Sequence, residues 1–149
     1  MEAVIFVGIQ GAGKSSFYKE RFFDTHVRIN LDMLKTKHRQ RVLLAACVEA
    51  GQPFVVDNTN VTPETRALFI APARAAGFRV VGYYFLTDVP SALARNGLRQ
   101  GAARVPDQAI YGTQKRLVAP TPAEGFDALF RVRAGAAGGF LVEAWPDEV

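Results

Sequence analysis

An α/β architecture, a parallel sheet with helices on both faces, is what the sequence predicts, and three observations carry it. Short apolar runs recur along the 149 residues: "AVIFV" at 3–7, "PFVVDN" at 53–58 and "RVVGYYFL" at 79–86. Runs this short and continuous suit strands covered on both faces. Stretches with helix start and stop signals lie between them, so strand alternates with helix. Asn30, Asp32 and Asp57 stand directly after apolar runs, at the carboxyl edge where such sheets bind ligands.

Each element has its own reason. "AVIFV" opens the chain as a core strand, and residues 14–23 follow as a helix with Phe17, Tyr18 and Phe22 inward. "HVRIN" at 26–30 reads as a second strand. A helical stretch lies within 32–50, basic in its first half and apolar in its second, and "PFVVDN" is the third strand. Thr62 and Pro63 supply a cap and a proline for the next helix, with Glu64 in its first turn. Gly77 stops that helix, and Pro72 inside it predicts a kink or an early break. "RVVGYYFL" is a fourth strand, its "GYYF" read as core rather than as a base-stacking platform. A helix opens on Asp88 or Ser91, "GAARVP" at 101–106 is a loop, and 106–118 is a further helix. "DALFRVRA" reads as a fifth strand and "GFLVEAW" as a last strand or tail.

Composition sets the frame. Hydrophobic residues make up 49% and charged residues 21%, ordinary for a soluble globular protein. The length suits a single domain over 1–149. A net charge of +4 favours anionic partners. The single cysteine, Cys47, excludes an internal disulfide, suits a reducing compartment and reads as a buried thiol. The first residues lack a basic leader and a cleavage site, and no apolar run approaches membrane-spanning length. A cytoplasmic protein is the expectation.

Residues 8–16, "GIQGAGKSS", carry the chemistry. Gly8, Gly13, Lys14 and Ser15 satisfy G-x-x-x-x-G-K-[ST], the phosphate loop or P-loop. Its glycines let successive backbone N–H groups converge on phosphate oxygens, and the helix after it adds its dipole. Gly11, Ala12 and Ser16 belong to the same cradle. Lys14 is expected to bridge the β- and γ-phosphates of ATP, and the Ser15 hydroxyl to ligate magnesium (Mg2+).

The polar strand ends decide which chemistry a bound ATP enters. Asp32 admits two readings: a base that takes the proton of an incoming hydroxyl, or a cap for the next helix. Asp57 either steers magnesium or forms an Asx turn with Asn58, and the strand's place beside the first favours the metal. Arg95 and Arg99 share one helix face, with Arg104 in the adjoining loop. They suit a phosphate-binding lid over roughly 95–110, or a solvated basic face.

Taken in order, "GIQGAGKSS", "INLDMLK", "VVDNTNVTPETR", "RNGLRQGAARVP" and "APTPAEGFDALF" resemble the kinase domain of the polynucleotide 5′-hydroxyl kinases. The set is similar as well to the small predicted P-loop kinases around them and to the zeta-toxin group. The likeness runs from residue 3 to about 133. It implies a P-loop NTPase three-layer sandwich with an arginine-bearing lid. It also implies the roles: Asp32 as general base, Lys14 and Ser15 as ATP and magnesium contacts, Arg99 on the transferring phosphate, with Arg95 one turn earlier. Asn30, Lys35, Asn58 and Thr59 fall on the acceptor side. Lys35 and Leu31 stand where the phage kinase of this family has arginines, and lysine offers a point charge where arginine offers a bidentate fork. No counterpart of the phosphatase domain often fused to such kinases is present.

"KTKHRQR" at 35–41 is the densest basic run and reads equally as a phosphate-backbone track or a solvated helix face. His26 and His38 have no partners at metal-ligand spacing. The expected function is an ATP-dependent kinase acting on a hydroxyl, foremost the 5′-OH of a polynucleotide. The rivals are a kinase of small molecules or nucleotide sugars, and a module that binds ATP and nucleic acid without transfer.

Overall fold

The computed structural model describes residues 1–146. Its sheet has six strands: β1 (Glu2–Val7), β2 (Val27–Ile29), β3 (Phe54–Val56), β4 (Arg79–Phe85), β5 (Ala128–Ala134) and β6 (Phe140–Ala144). They lie in the order β2-β3-β1-β4-β5-β6. The first five are parallel, and β6 runs antiparallel to β5. The parallel sheet expected from the sequence thus gains an antiparallel edge, and "GFLVEAW", read as a last strand or tail, supplies it. The short "GAAGG" segment after β5 explains it, because a tight reversal cannot make the crossover that a parallel neighbour needs.

Helices cover both faces: α1 (Lys14–Arg21), α2 (Leu31–Leu34), α3 (Lys37–Ala50), α4 (Pro63–Ala75), α5 (Val89–Gly97) and α6 (Asp107–Arg116). Strand alternation sorts β1 between two cores. Ala3, Ile5 and Val7 pack with Leu44, Cys47, Phe69, Ile70 and Ala73 from α3 and α4. Val4 and Phe6 pack with Phe17, Tyr18, Ala92 and Ile110 from α1, α5 and α6. Burial raises the Cys47 thiol pKa, as suits a packed residue.

The helix expected within 32–50 is two helices. Asn30 caps α2 by accepting from the Met33 N–H, and Thr36 caps α3 by accepting from the Arg39 N–H. Lys35 between them has φ 76°, an unfavourable backbone region for a side chain. The two caps, only six residues apart, force that bend. Pro72 does not end α4, which runs to Ala75. The proline stands at the start of the last turn, and Leu68, whose carbonyl loses its donor, lies on the exposed side where water serves instead. Asp88, not Ser91, caps α5. Tyr83 and Tyr84 are half-buried in the sheet, Tyr83 stacked on Phe130.

Two polar staples close the architecture. Arg66 of α4 is fully buried and grips Glu124 through Nε (2.7 Å) and Nη2 (3.1 Å), while Nη1 donates to the carbonyls of Asn60 and Val118. Asn96, also fully buried, donates to the Val105 carbonyl (2.6 Å) and accepts from the Val105 N–H (2.9 Å). It binds the end of α5 to the segment leading into α6.

Candidate active site

The phosphate loop links β1 to α1. Gly11 and Gly13 have φ of 78° and 95°, conformations open to glycine and strained for other residues. A Cβ on Gly11 would stand 2.6 Å from the Ala92 carbonyl of α5. One on Gly13 would stand 3.0 Å from the Phe140 ring of β6, which also packs edge-on against Phe17. The loop is thus clamped by α5 on one side and β6 on the other.

Lys14 is buried, and its ammonium donates to the carbonyls of Gly8 (2.9 Å) and Ile9 (2.7 Å). Its pKa is lowered to about 8, chiefly by desolvation; Asp57 and Asp32 oppose the shift, and Arg99 adds to it. The charges proposed for phosphate handling therefore all act on one ammonium.

Asp57 follows β3 directly and is 2% exposed. The Ser15 hydroxyl donates to its Oδ2 at 2.9 Å. Arg28 of β2 completes a ring: Nε donates to the same Oδ2 (2.8 Å), and Nη2 donates to Ser15 Oγ (3.0 Å). A hydroxyl and a carboxylate this close form the hard oxygen set that suits magnesium, and a cationic group already lies against both. Sequence reasoning missed Arg28. The period of two offered a signal, since Arg28 and Asn30 share a strand face. The register Arg28↔Val55 also sets Asp57 diagonally across.

The rest of "DNTN" is tied to the protein. Asn58 Oδ1 accepts from the Leu31 N–H, and its Nδ2 donates to Gln40. The Thr59 carbonyl accepts from the Gly8 N–H at 3.1 Å. Asn60 donates to the Phe6 carbonyl, and Asn30 Nδ2 donates to the Asp57 carbonyl. These groups hold the loop after β3 against the phosphate loop and α2. Asn30, Asn58 and Thr59, expected on the acceptor side, do line the main cleft, and their bonds serve the scaffold.

That cleft, about 1660 Å³, brings together Lys14, Ser15, Asp32, Lys35, Asp57 and Arg99. Asp32 and Lys35 are exposed at its edge. Lys37, Gln40 and Arg41 of the basic run also face it, and Leu44, Val48 and Phe69 give it an apolar end. The run is divided by its helix: Arg39 donates to the Leu34 carbonyl, and His38 is exposed outside the cleft lining. A second hollow of about 470 Å³ lies behind the loop between Gly13, Ser16, Arg95, Arg99, Gly139 and Phe140. Arg99 borders both, and Arg95 donates to the Gly11 carbonyl at 2.9 Å. Arg104 is exposed, and Ala12 is buried under the loop.

The chain is similar to several known proteins. A family model described as an AAA domain matches residues 4–120. A bifunctional polynucleotide phosphatase/kinase of Schizosaccharomyces pombe is 27% identical over 129 residues, covering 84% of this chain and 32% of the relative. The chain therefore spans about a third of that relative's length. Kti12 of Chaetomium thermophilum, solved in complex with ADP-AlF3, is 16% identical with a TM-score of 0.64, covering 88% of each chain. A gluconokinase from Sinorhizobium meliloti 1021 is 17% identical with a TM-score of 0.58, covering 87% of this chain and 82% of that one. The structural likenesses establish the P-loop fold. Among the described residues, no helix is long and apolar enough to cross a membrane.

Proposed function

The chain belongs to the AAA domain family, and on that premise we propose that it is an ATP-dependent kinase whose acceptor is a hydroxyl, foremost the 5′-OH of a polynucleotide. One observation carries the reading: Asp32, an exposed carboxylate, lines the same cleft as the phosphate-loop Lys14 and as Arg99. A carboxylate that faces both the donor phosphates and open space can receive an acceptor's proton as transfer proceeds.

The acceptor oxygen attacks the γ-phosphorus, its bond forms as the β–γ bridging bond breaks, and ADP departs. The acceptor's proton passes to Asp32. Lys14 holds the β- and γ-phosphates, and Arg99, on a lid formed by residues of about 95–110, meets the charge on the transferring group. Magnesium held by Ser15 and Asp57 would supply charge neutralisation at the same phosphates. Asn96 positions the lid by fixing Val105.

The polynucleotide acceptor draws on two supports. The similarity to the phosphatase/kinase covers most of this chain. The cleft also exceeds the roughly 300–1,000 Å³ of small-molecule sites, with Lys35, Lys37 and Arg41 along it. The test is transfer of label from γ-labelled ATP to a panel of 5′-OH DNA, 5′-OH RNA, nucleosides and sugars. Label on the oligonucleotides is expected, and label confined to a small molecule overturns that acceptor. Asp32→Asn is expected to lower transfer by roughly 10²–10⁴ while sparing ATP affinity. An active Asp32→Asn enzyme overturns the base assignment.

A further inference from the structure

We infer that Arg28 is a built-in counter-ion that closes the proposed metal site until an incoming dication displaces it. This rests on the metal role proposed for Ser15 and Asp57. Asp57 is buried, and an unpaired carboxylate there would be costly. Its charge is met by the Arg28 guanidinium, which bonds Asp57 Oδ2 and Ser15 Oγ at once. The Ser15 hydroxyl proton is committed to the same Oδ2. Asp57 Oδ2 and Ser15 Oγ, two oxygens a divalent cation would use, are thus already engaged by a monovalent one.

Arg28 is the more accessible member of the pair. Its side chain is 26% exposed, whereas that of Asp57 is 1% exposed. Its other terminal nitrogen reaches only the Met33 thioether at 3.9 Å, and its guanidinium lies 6.0 Å over the Tyr18 ring. Tyr18 itself is fixed by donation to the His26 carbonyl. The arrangement couples metal to nucleotide. A dication alone must displace a charge-assisted pair to reach Ser15 and Asp57. A dication arriving on a triphosphate brings the phosphate oxygens as additional ligands, and the displaced guanidinium gains anionic oxygens to bond.

The experiment measures Mn2+ binding by electron paramagnetic resonance, with and without a non-hydrolysable ATP analogue, in wild type, Arg28→Gln and Arg28→Gln/Asp57→Asn. Without nucleotide, Arg28→Gln is expected to bind Mn2+ at least about tenfold more tightly than wild type. That gain disappears in the double variant. Mn2+ is also expected to raise the melting temperature of Arg28→Gln more than that of wild type, because the metal then neutralises Asp57. Arg28→Lys, which keeps the charge, controls for folding and binds Mn2+ like wild type. Equal Mn2+ affinity in folded wild type and Arg28→Gln overturns the inference. Absence of Mn2+ binding even with the ATP analogue in wild type overturns the metal role beneath it, a separate result.

Discussion

Binding of ATP at alkaline pH is expected to draw a proton into the site, with Lys14 as the group that takes it. The perturbation is the triphosphate. The buried ammonium has two carbonyl partners and a pKa lowered to about 8. A triphosphate beside it favours the charged form and raises that pKa. With a starting value near 8, roughly half a proton per site is taken up at pH 8, rising to about 0.9 at pH 9. Apparent affinity falls up to about tenfold per pH unit above 8. The assay is titration calorimetry with magnesium and ATP at pH 8 and 9, in buffers of contrasting ionisation enthalpy. Lys14→Arg, whose guanidinium stays charged, is expected to show little uptake. Zero uptake in wild type at pH 9 refutes the reasoning. The same depression fixes the sign of the nucleotide-free protein's pH dependence. Between pH 8 and 10.5 the unfolded chain holds more protons at Lys14 than the folded one, so its contribution to stability rises with pH, by up to roughly 3 kcal/mol.

Two further outcomes concern the staples. Arg66→Met strands Glu124 and removes the donor to the Asn60 and Val118 carbonyls. A loss of about 3–5 kcal/mol is expected, a fall in melting temperature of roughly 10 °C, and Arg66→Met/Glu124→Leu recovers part of it. A loss below about 1 kcal/mol contradicts the account of that pair. Asn96→Ala frees Val105, so hydrogen exchange across residues 98–106 is expected to speed up while the β1 amides stay protected. Unchanged exchange there removes Asn96 as a brace of the lid.

Local chemistry made much of the fold legible. The phosphate loop has fixed spacing, β1 and β3 sit on unbroken apolar runs, and Thr62-Pro63 marks a helix start on its own. The features that escaped depend on partners far apart in sequence. Arg28 in a three-residue strand reads as an exposed cation until β3 brings Asp57 beside it. Arg66 and Glu124 are 58 residues apart, and neither announces a buried pair. The bend at Lys35 carries no glycine or proline; only the competition of the Asn30 and Thr36 caps produces it. Pro72 reads as a helix breaker in the sequence because its cost depends on where the orphaned carbonyl points, a property of the packed helix.

The Phe140 ring lies against Gly13 and Phe17, so one wall of the phosphate loop comes from a strand far from it along the chain. Such long-range closure slows the final folding step. A chain truncated before β6 would leave the Gly13 side of the loop without its aromatic wall.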